Sequence, residues 1–182
     1  MHNKTKKAAS KKMRCKLCKA KTKHEFCDRC FPSVIERRIR RYTRLNKLFK
    51  KGDIIYIQGK IAKYFIPRIL ENLPVKITKK KSEAKKIITD DTADTIIEQF
   101  LSELFPGLKK KERKEQKNRK IIPLLLPITD KEAERFAKLK HIKYKPPKRN
   151  RRIASLLEEL ERTTPDIRYK LLRTIKKLKG IR

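Results

Sequence analysis

The sequence predicts an α/β protein, and three observations predict it. Short β-branched runs of strand length alternate with segments whose apolar residues recur at three- and four-residue steps. Gly, Pro and Asp residues punctuate the boundaries between them, as at Lys51-Gly52-Asp53 and Pro146-Pro147. Two helical patterns close the chain, so the layer of strands and helices is expected to carry a helical carboxyl-terminal part.

Taken in order, residues 1–14 hold Lys4, Lys6, Lys7, Lys11, Lys12 and Arg14 and no acid, a composition that predicts a disordered basic arm. A cysteine module occupies 15–31. Residues 32–49 carry Val34, Ile35, Ile39, Tyr42, Leu45, Leu48 and Phe49 on one helical face, with Pro32 or Ser33 at its start. The remaining surface of that connecting helix is basic: Arg37, Arg38, Arg40, Arg41 and Arg44. The folded α/β domain is placed at 50–142. Within it Ile54–Ile57 reads as a buried strand, Ile61–Leu70 as a helix ended or kinked by Pro67, and Val75–Ile77 and Ala84–Thr89 as further strands. Thr92–Phe105 reads as a helix begun by the capping pair Asp90-Asp91. A mobile basic loop is expected at 107–120, including Lys109, Lys110 and Lys111. Folded chain resumes at Ile121, and Lys131–Lys140 is a helix. The region 143–182 is read as a basic loop, with Arg149, Arg151 and Arg152, followed by helices at Arg151–Arg162 and Pro165–Lys179.

Charge narrows the function classes. The 182 residues contain 54 Lys and Arg against 20 Asp and Glu, a net charge of +34. Such a surface favours polyanions, because each phosphate neutralised releases condensed counterions. The longest apolar run, Ile121–Ile128, covers eight residues and includes two prolines, whereas a membrane-spanning helix needs about 20. No secretory signal pattern is read at the amino terminus. A reducing, cytoplasmic setting and no membrane partner are the expectation.

The cysteines carry the most specific motif. Cys15-x-x-Cys18 and Cys27-x-x-Cys30 are two pairs separated by eight residues, and each pair can aim two thiolates at one ion. A structural zinc with a closed four-sulfur sphere is the preferred reading; an iron–sulfur cluster would need the same residues, and disulfides suit a reducing compartment poorly. All four cysteines of the chain are then used, leaving no cysteine nucleophile.

With the following Ile35-Glu36-Arg37-Arg38-Ile39 helix and Gly52-Asp53-Ile54-Ile55, this order resembles the tRNA 2-thiolation proteins, sulfurtransferases of PP-loop (adenine-nucleotide alpha-hydrolase-like) fold. Thr89-Asp90-Asp91-Thr92-Ala93-Asp94-Thr95 is similar to a segment of that family that opens a helix. Ile122-Pro123-Leu124, Lys131-Glu132-Ala133-Glu134 and Pro165-Asp166-Ile167-Arg168-Tyr169 follow its carboxyl-terminal pattern. The resemblance implies a reduced PP-loop parallel sheet with an amino-terminal zinc ribbon.

It departs where the family binds ATP. Ser-Gly-Gly-x-Asp-Ser is replaced by Gln58-Gly59-Lys60-Ile61-Ala62-Lys63, and only 30 residues separate Gly59 from Asp90. Gly59, Lys60, Asp90 and Asp91 are therefore read as a degenerate nucleotide site, and ATP is not expected as a cofactor. The implied function is a tRNA-binding, non-catalytic subunit of a tRNA uridine 2-thiolation complex, partnered by a catalytic paralogue. An active sulfurtransferase with an unconventional ATP site and a zinc-containing ribosome-associated protein are the alternatives. In the first reading, RNA contacts fall to the zinc module, the arginine helix and the loops Lys109–Lys120 and Lys143–Arg152. A shrunken sheet is further expected to expose an apolar flank at the Ile61–Leu70 and Thr92–Phe105 helices.

Overall fold

The computed structural model describes residues 13–105 and 120–178. Most of the expected arm and nearly all of the expected loop, with Lys109, Lys110 and Lys111, lie outside the described residues. The arm's last two residues are a strand instead: β1 (Met13–Arg14) pairs antiparallel with β2 (Lys21–Thr22).

Four strands form a parallel sheet in the order β4-β3-β5-β6: β3 (Ile54–Ile57), β4 (Lys76–Ile77), β5 (Lys86–Thr92) and β6 (Lys120–Leu125). Ile55 pairs with Lys86 and Ile57 with Ile88 between β3 and β5; Ile88 in turn pairs with Ile122 of β6. β5 is one of two inner strands and buried almost throughout, as its Ile87-Ile88-Thr89 stretch requires. Pro123 lies within β6, which its missing N–H permits because β6 is an edge.

Among the described residues there are six α-helices: α1 (Phe31–Leu45), α2 (Lys60–Ile69), α3 (Ala93–Leu104), α4 (Asp130–Leu139), α5 (Arg151–Thr163) and α6 (Ile167–Leu178). α1 stops at Leu45, short of the expected Phe49. Lys47 turns left-handed at φ +46°, and the N–H groups of Leu48 and Lys47 return to the carbonyls of Thr43 and Arg44, a Schellman closure. Leu48 and Phe49 are still buried, but from the loop. Pro67 ends α2 within two residues without forbidding its last turn.

β5 runs three residues beyond the expected Thr89, and this moves the helix cap. Thr92, not the Asp90-Asp91 pair, begins α3: its hydroxyl accepts from the Thr95 N–H, and the Thr95 hydroxyl accepts from the Thr92 N–H. Thr129 and Glu132 make the same reciprocal cap on α4.

One core joins the sheet to α1, α2 and α4, with Ile35, Ile39, Ile55, Ile61, Phe65, Ile88, Leu124 and Phe136 fully buried. Phe65 and Phe136 stack at 5.1 Å, and Tyr64 meets both edge-on. A second cluster, Ile97, Ile153, Leu157 and Ile175, binds α3 to α5 and α6. The flank expected to be bare is covered: Ile61, Ala62, Phe65 and Ile66 of α2 face the first cluster and Ile97 of α3 the second.

Arg149 is drawn inside rather than outward. Its guanidinium donates to Asp130 at 2.5 Å, Glu98 at 2.8 Å and the Thr95 hydroxyl at 2.8 Å, and its side chain is 19% exposed. Burial opposes the charge, but the two carboxylates raise the guanidinium pKa above its ordinary value. This network ties the segment before α5 to α3 and α4, and it turns Arg149 inward, where it was expected to contact RNA. Arg149→Ala would leave Asp130 and Glu98 facing each other without their cation; we expect a loss of about 3–5 kcal/mol, measured by urea denaturation.

Candidate nucleic-acid interface and metal centre

The cysteine module is shaped by its backbone. The β1–β2 hairpin turns through Lys19, at φ +60°, with the Cys15 N–H donating to the Ala20 carbonyl and the Lys19 N–H to that of Cys15. The second knuckle runs directly into α1: the Cys30 and Phe31 N–H groups return to the Cys27 carbonyl, and Cys30 is the N-cap.

The Sγ atoms of Cys15, Cys18, Cys27 and Cys30 consequently all lie within 4.8 Å of one another, with Cys18 and Cys27 Sγ 3.5 Å apart. Four thiolates around one tetrahedral ion sit about 3.8 Å apart at the usual Zn–S length, so the set fits a single ion. A four-iron cluster, with sulfides between its metals, holds its thiolates farther apart. Backbone N–H groups of Cys18 and Cys27 lower the Cys15 thiol to about 6, while the thiols of Cys18 and Cys27 push Cys30 up to about 12. Four sulfurs this close cannot all ionise without a cation among them.

Arg135 of α4, which the sequence did not single out, docks the module. It donates to the Phe26 carbonyl at 2.8 Å and to Asp28 at 2.7 Å, and its guanidinium lies 4.2 Å from the centre of the Phe31 ring.

From the metal centre, α1 carries its arginines onto the surface. Arg37, Arg40, Arg41 and Arg44 recur at i, i+3, i+4 and i+7, opposite the buried Ile35 and Ile39, and are all exposed. None has an ion-pair partner among the described residues. Arg38 differs: it is half-buried and donates to Glu132 at 2.6 Å. Arg151 and Arg152 are exposed but begin α5, a separate helix.

The remaining predicted residues meet at the sheet. The strand order reverses between β3 and β5, since β4 is added on one side of β3 and β5 on the other; in open parallel sheets the crevice beyond the strand ends at this point is the usual ligand site. Gly59 follows β3 and caps α2, and Asp90 lies near the end of β5.

The Asp90 carboxylate fills the crevice. It accepts from the Ile61 N–H at 2.9 Å and the Ala62 N–H at 2.8 Å, capping α2 from another element. A Cβ at position 59 would overlap that carboxylate, so glycine is required for its approach. Burial raises the Asp90 pKa above the ordinary carboxylate value, against the pull of the Ile61, Ala62 and Lys60 amides. Asp91 is buried and accepts from the Thr89 hydroxyl at 2.6 Å. The Lys60 side chain is exposed. The signals for this contact, an isolated glycine at a helix start and an acid at a strand end, were visible in sequence; their pairing was not.

No family model and no curated protein matches this sequence. Among solved structures the chain is similar to the U34-tRNA thiolase NcsA from Methanococcus maripaludis with its [4Fe-4S] cluster. The TM-score is 0.67 over 93% of this chain and 88% of that one, at 14% identity. The fold is of the PP-loop type. At that identity the likeness establishes architecture alone, that of a parallel α/β sheet flanked by helices.

Two outcomes follow from this geometry. Elemental analysis should find one metal ion per chain, and Cys15→Ser or strong chelation should release it and unfold the module; a metal-free protein with native circular dichroism would contradict the centre. Asp90→Ala and Gly59→Ala should each cost about 1–2 kcal/mol. Their double variant should cost less than the sum, because both break one contact.

Proposed function

We propose that this chain holds tRNA, or another structured RNA, as a non-catalytic subunit of a tRNA uridine 2-thiolation complex, beside a catalytic relative that supplies the ATP and sulfur chemistry. One juxtaposition carries the reading: in a fold like that of a tRNA thiolase, the crevice at the strand ends is filled by the protein's own Asp90, while the arginine ridge of α1 stands unpaired and exposed.

A carboxylate on the α2 amides leaves no room for a phosphate on the same donors, and repels one that approaches. The chain has four cysteines, all in the metal module, so no thiol is left to carry a persulfide. What its residues do in this reading is bind and orient. Arg37, Arg40, Arg41 and Arg44 present guanidinium groups to phosphates, and the metal module anchors the start of their helix. Zinc is the ion best suited to four thiolates around one centre, and it would act by rigidifying that anchor. No described helix is long and apolar enough to cross a membrane, in keeping with a cytoplasmic RNA partner.

The test is tRNA binding across a salt series, alongside an assay for AMP and pyrophosphate. Binding should weaken steeply with salt, and replacing Arg37, Arg40, Arg41 and Arg44 by Gln should lower affinity at least about tenfold and flatten the slope. Affinity constant over the series would refute the electrostatic reading. ATP cleavage lost in Lys60→Ala would instead establish an active enzyme. Stoichiometric recovery of a catalytic relative from the native host supports the complex, and recovery of ribosomal proteins in its place counts against it.

A further inference from the structure

We infer that α5 is the seam of a homodimer, in which the outward face of this helix pairs antiparallel with the same face of a second copy of the chain. The inference uses none of the residues that carry the RNA-holding reading and is tested apart from it.

Two faces of α5 are apolar, and only one of them is used within the chain. Ile153 and Leu157 turn into the cluster shared with α3 and α6, and Glu158, on one side of them, reaches Lys131 of α4. On the other side Arg152, Leu156, Glu159, Leu160 and Thr163 recur at i, i+4, i+7, i+8 and i+11, which at the helical period is one continuous face. All five are exposed. Leu156 is 43% exposed and Leu160 36%, a pair of large apolar side chains left in solvent one turn apart. Arg152 and Glu159 lie two turns apart on the same flank of that pair, and neither is ion-paired among the described residues.

Charge decides what can cover this face. With a net charge of +34, the chain repels its own copies over most of its surface. The outward face of α1 presents Arg37, Arg40, Arg41 and Arg44, and that of α6 presents Lys170, Arg173 and Lys177. The α5 face instead balances one cation against one anion around its leucines. A polyanion would meet a carboxylate and two apolar side chains there, which gives it little to hold.

The order of the charges selects a second copy. A two-fold axis at Leu156 runs the second α5 in the opposite direction, as in any isologous contact. Leu156 then meets its own copy, and each Arg152 lies opposite the turn that holds Glu159 and Leu160 of the second copy. Because antiparallel helices bring like flanks to the same side of their seam, guanidinium meets carboxylate twice per dimer, and the Arg152 stem covers Leu160. Parallel pairing would set Arg152 against Arg152 and Glu159 against Glu159. One helix face buries less than the roughly 800 Å² per partner of a stable complex, so half-association is expected on the order of 100 μM.

Sedimentation equilibrium on the full chain, at salt high enough to screen the repulsion between copies, tests the seam over a range from about 10 μM to about 1 mM, bracketing that estimate. The mass should rise from one chain toward two. Arg152→Glu and Glu159→Arg, made singly, should each weaken association at least about tenfold, because like charges then face each other at both ends of the seam. The two substitutions together should restore it to within about threefold, since the pairs re-form with their signs exchanged. Arg162→Glu, on another face of α5, is the charge control, and circular dichroism melts check that each variant folds. A chain that stays monomeric throughout the range refutes the dimer. If the chain dimerises but neither reversal weakens it beyond Arg162→Glu, the contact lies elsewhere and the α5 seam is refuted. Loss in both single variants with no recovery in the double variant refutes the antiparallel pairing.

Discussion

The Asp90 carboxylate against the first amides of α2 is the contact on which the organisation of this molecule turns. A helix beginning at the end of a parallel strand presents unsatisfied N–H groups and a partial positive charge. Here the acceptor comes from the neighbouring strand β5, 29 residues away from Ile61. The contact locks α2 to β5, requires a glycine at 59, and occupies the first amides of α2 at the crevice. Once that position is filled from within, chemical interest passes to the outside of the fold.

Several other acidic residues are spent in the same inward way. Asp53 pairs with Lys86 at 2.5 Å, Asp94 with Arg168, Asp130 and Glu98 with Arg149, and Glu132 with Arg38. With 20 acids against 54 basic residues, carboxylates used as internal fasteners leave fewer to balance the exposed cations. The paired cations hold elements together, and the unpaired ones on α1 and α6 collect on outward helix faces. Stability and the exposed positive surface therefore arise from one allocation of charge, in which desolvated pairs cannot be broken cheaply and unpaired cations stay at the surface.

The metal module completes this division. Its small hairpin has little apolar surface to bury, so four thiols and the Arg135 clamp stand in for a core. Because Cys30 is at once a thiol of the cluster and the N-cap of α1, an ion at the cysteines sets where the arginine ridge begins. A local metal site thus helps fix the position of a surface that is also held by α1's apolar stripe and by the contacts of Glu36 and Arg38.

What the sequence determined by itself was whatever depends on near neighbours: the two Cys-x-x-Cys knuckles, the apolar period of α1 with its arginines opposite, the β-branched strands, and the alternation that makes the α/β layer. Spacings of two, three and four residues are set by backbone geometry, so they survive into the fold. The ends of elements were less legible. α1 stopped early at a left-handed lysine, and β5 ran through Asp90 and Asp91 to a threonine cap, because strand pairing with β6 outweighed the local preference of an acidic pair for a helix start. Only the tertiary structure decided which charges are hidden. Arg149 and Arg37 are alike in one dimension; one is buried among Asp130, Glu98 and Thr95, and the other is exposed, because carboxylates 19 and 51 residues away fold against the first alone. An ion pair's worth depends on what desolvates it, and that is a property of packing, not of neighbours along the chain.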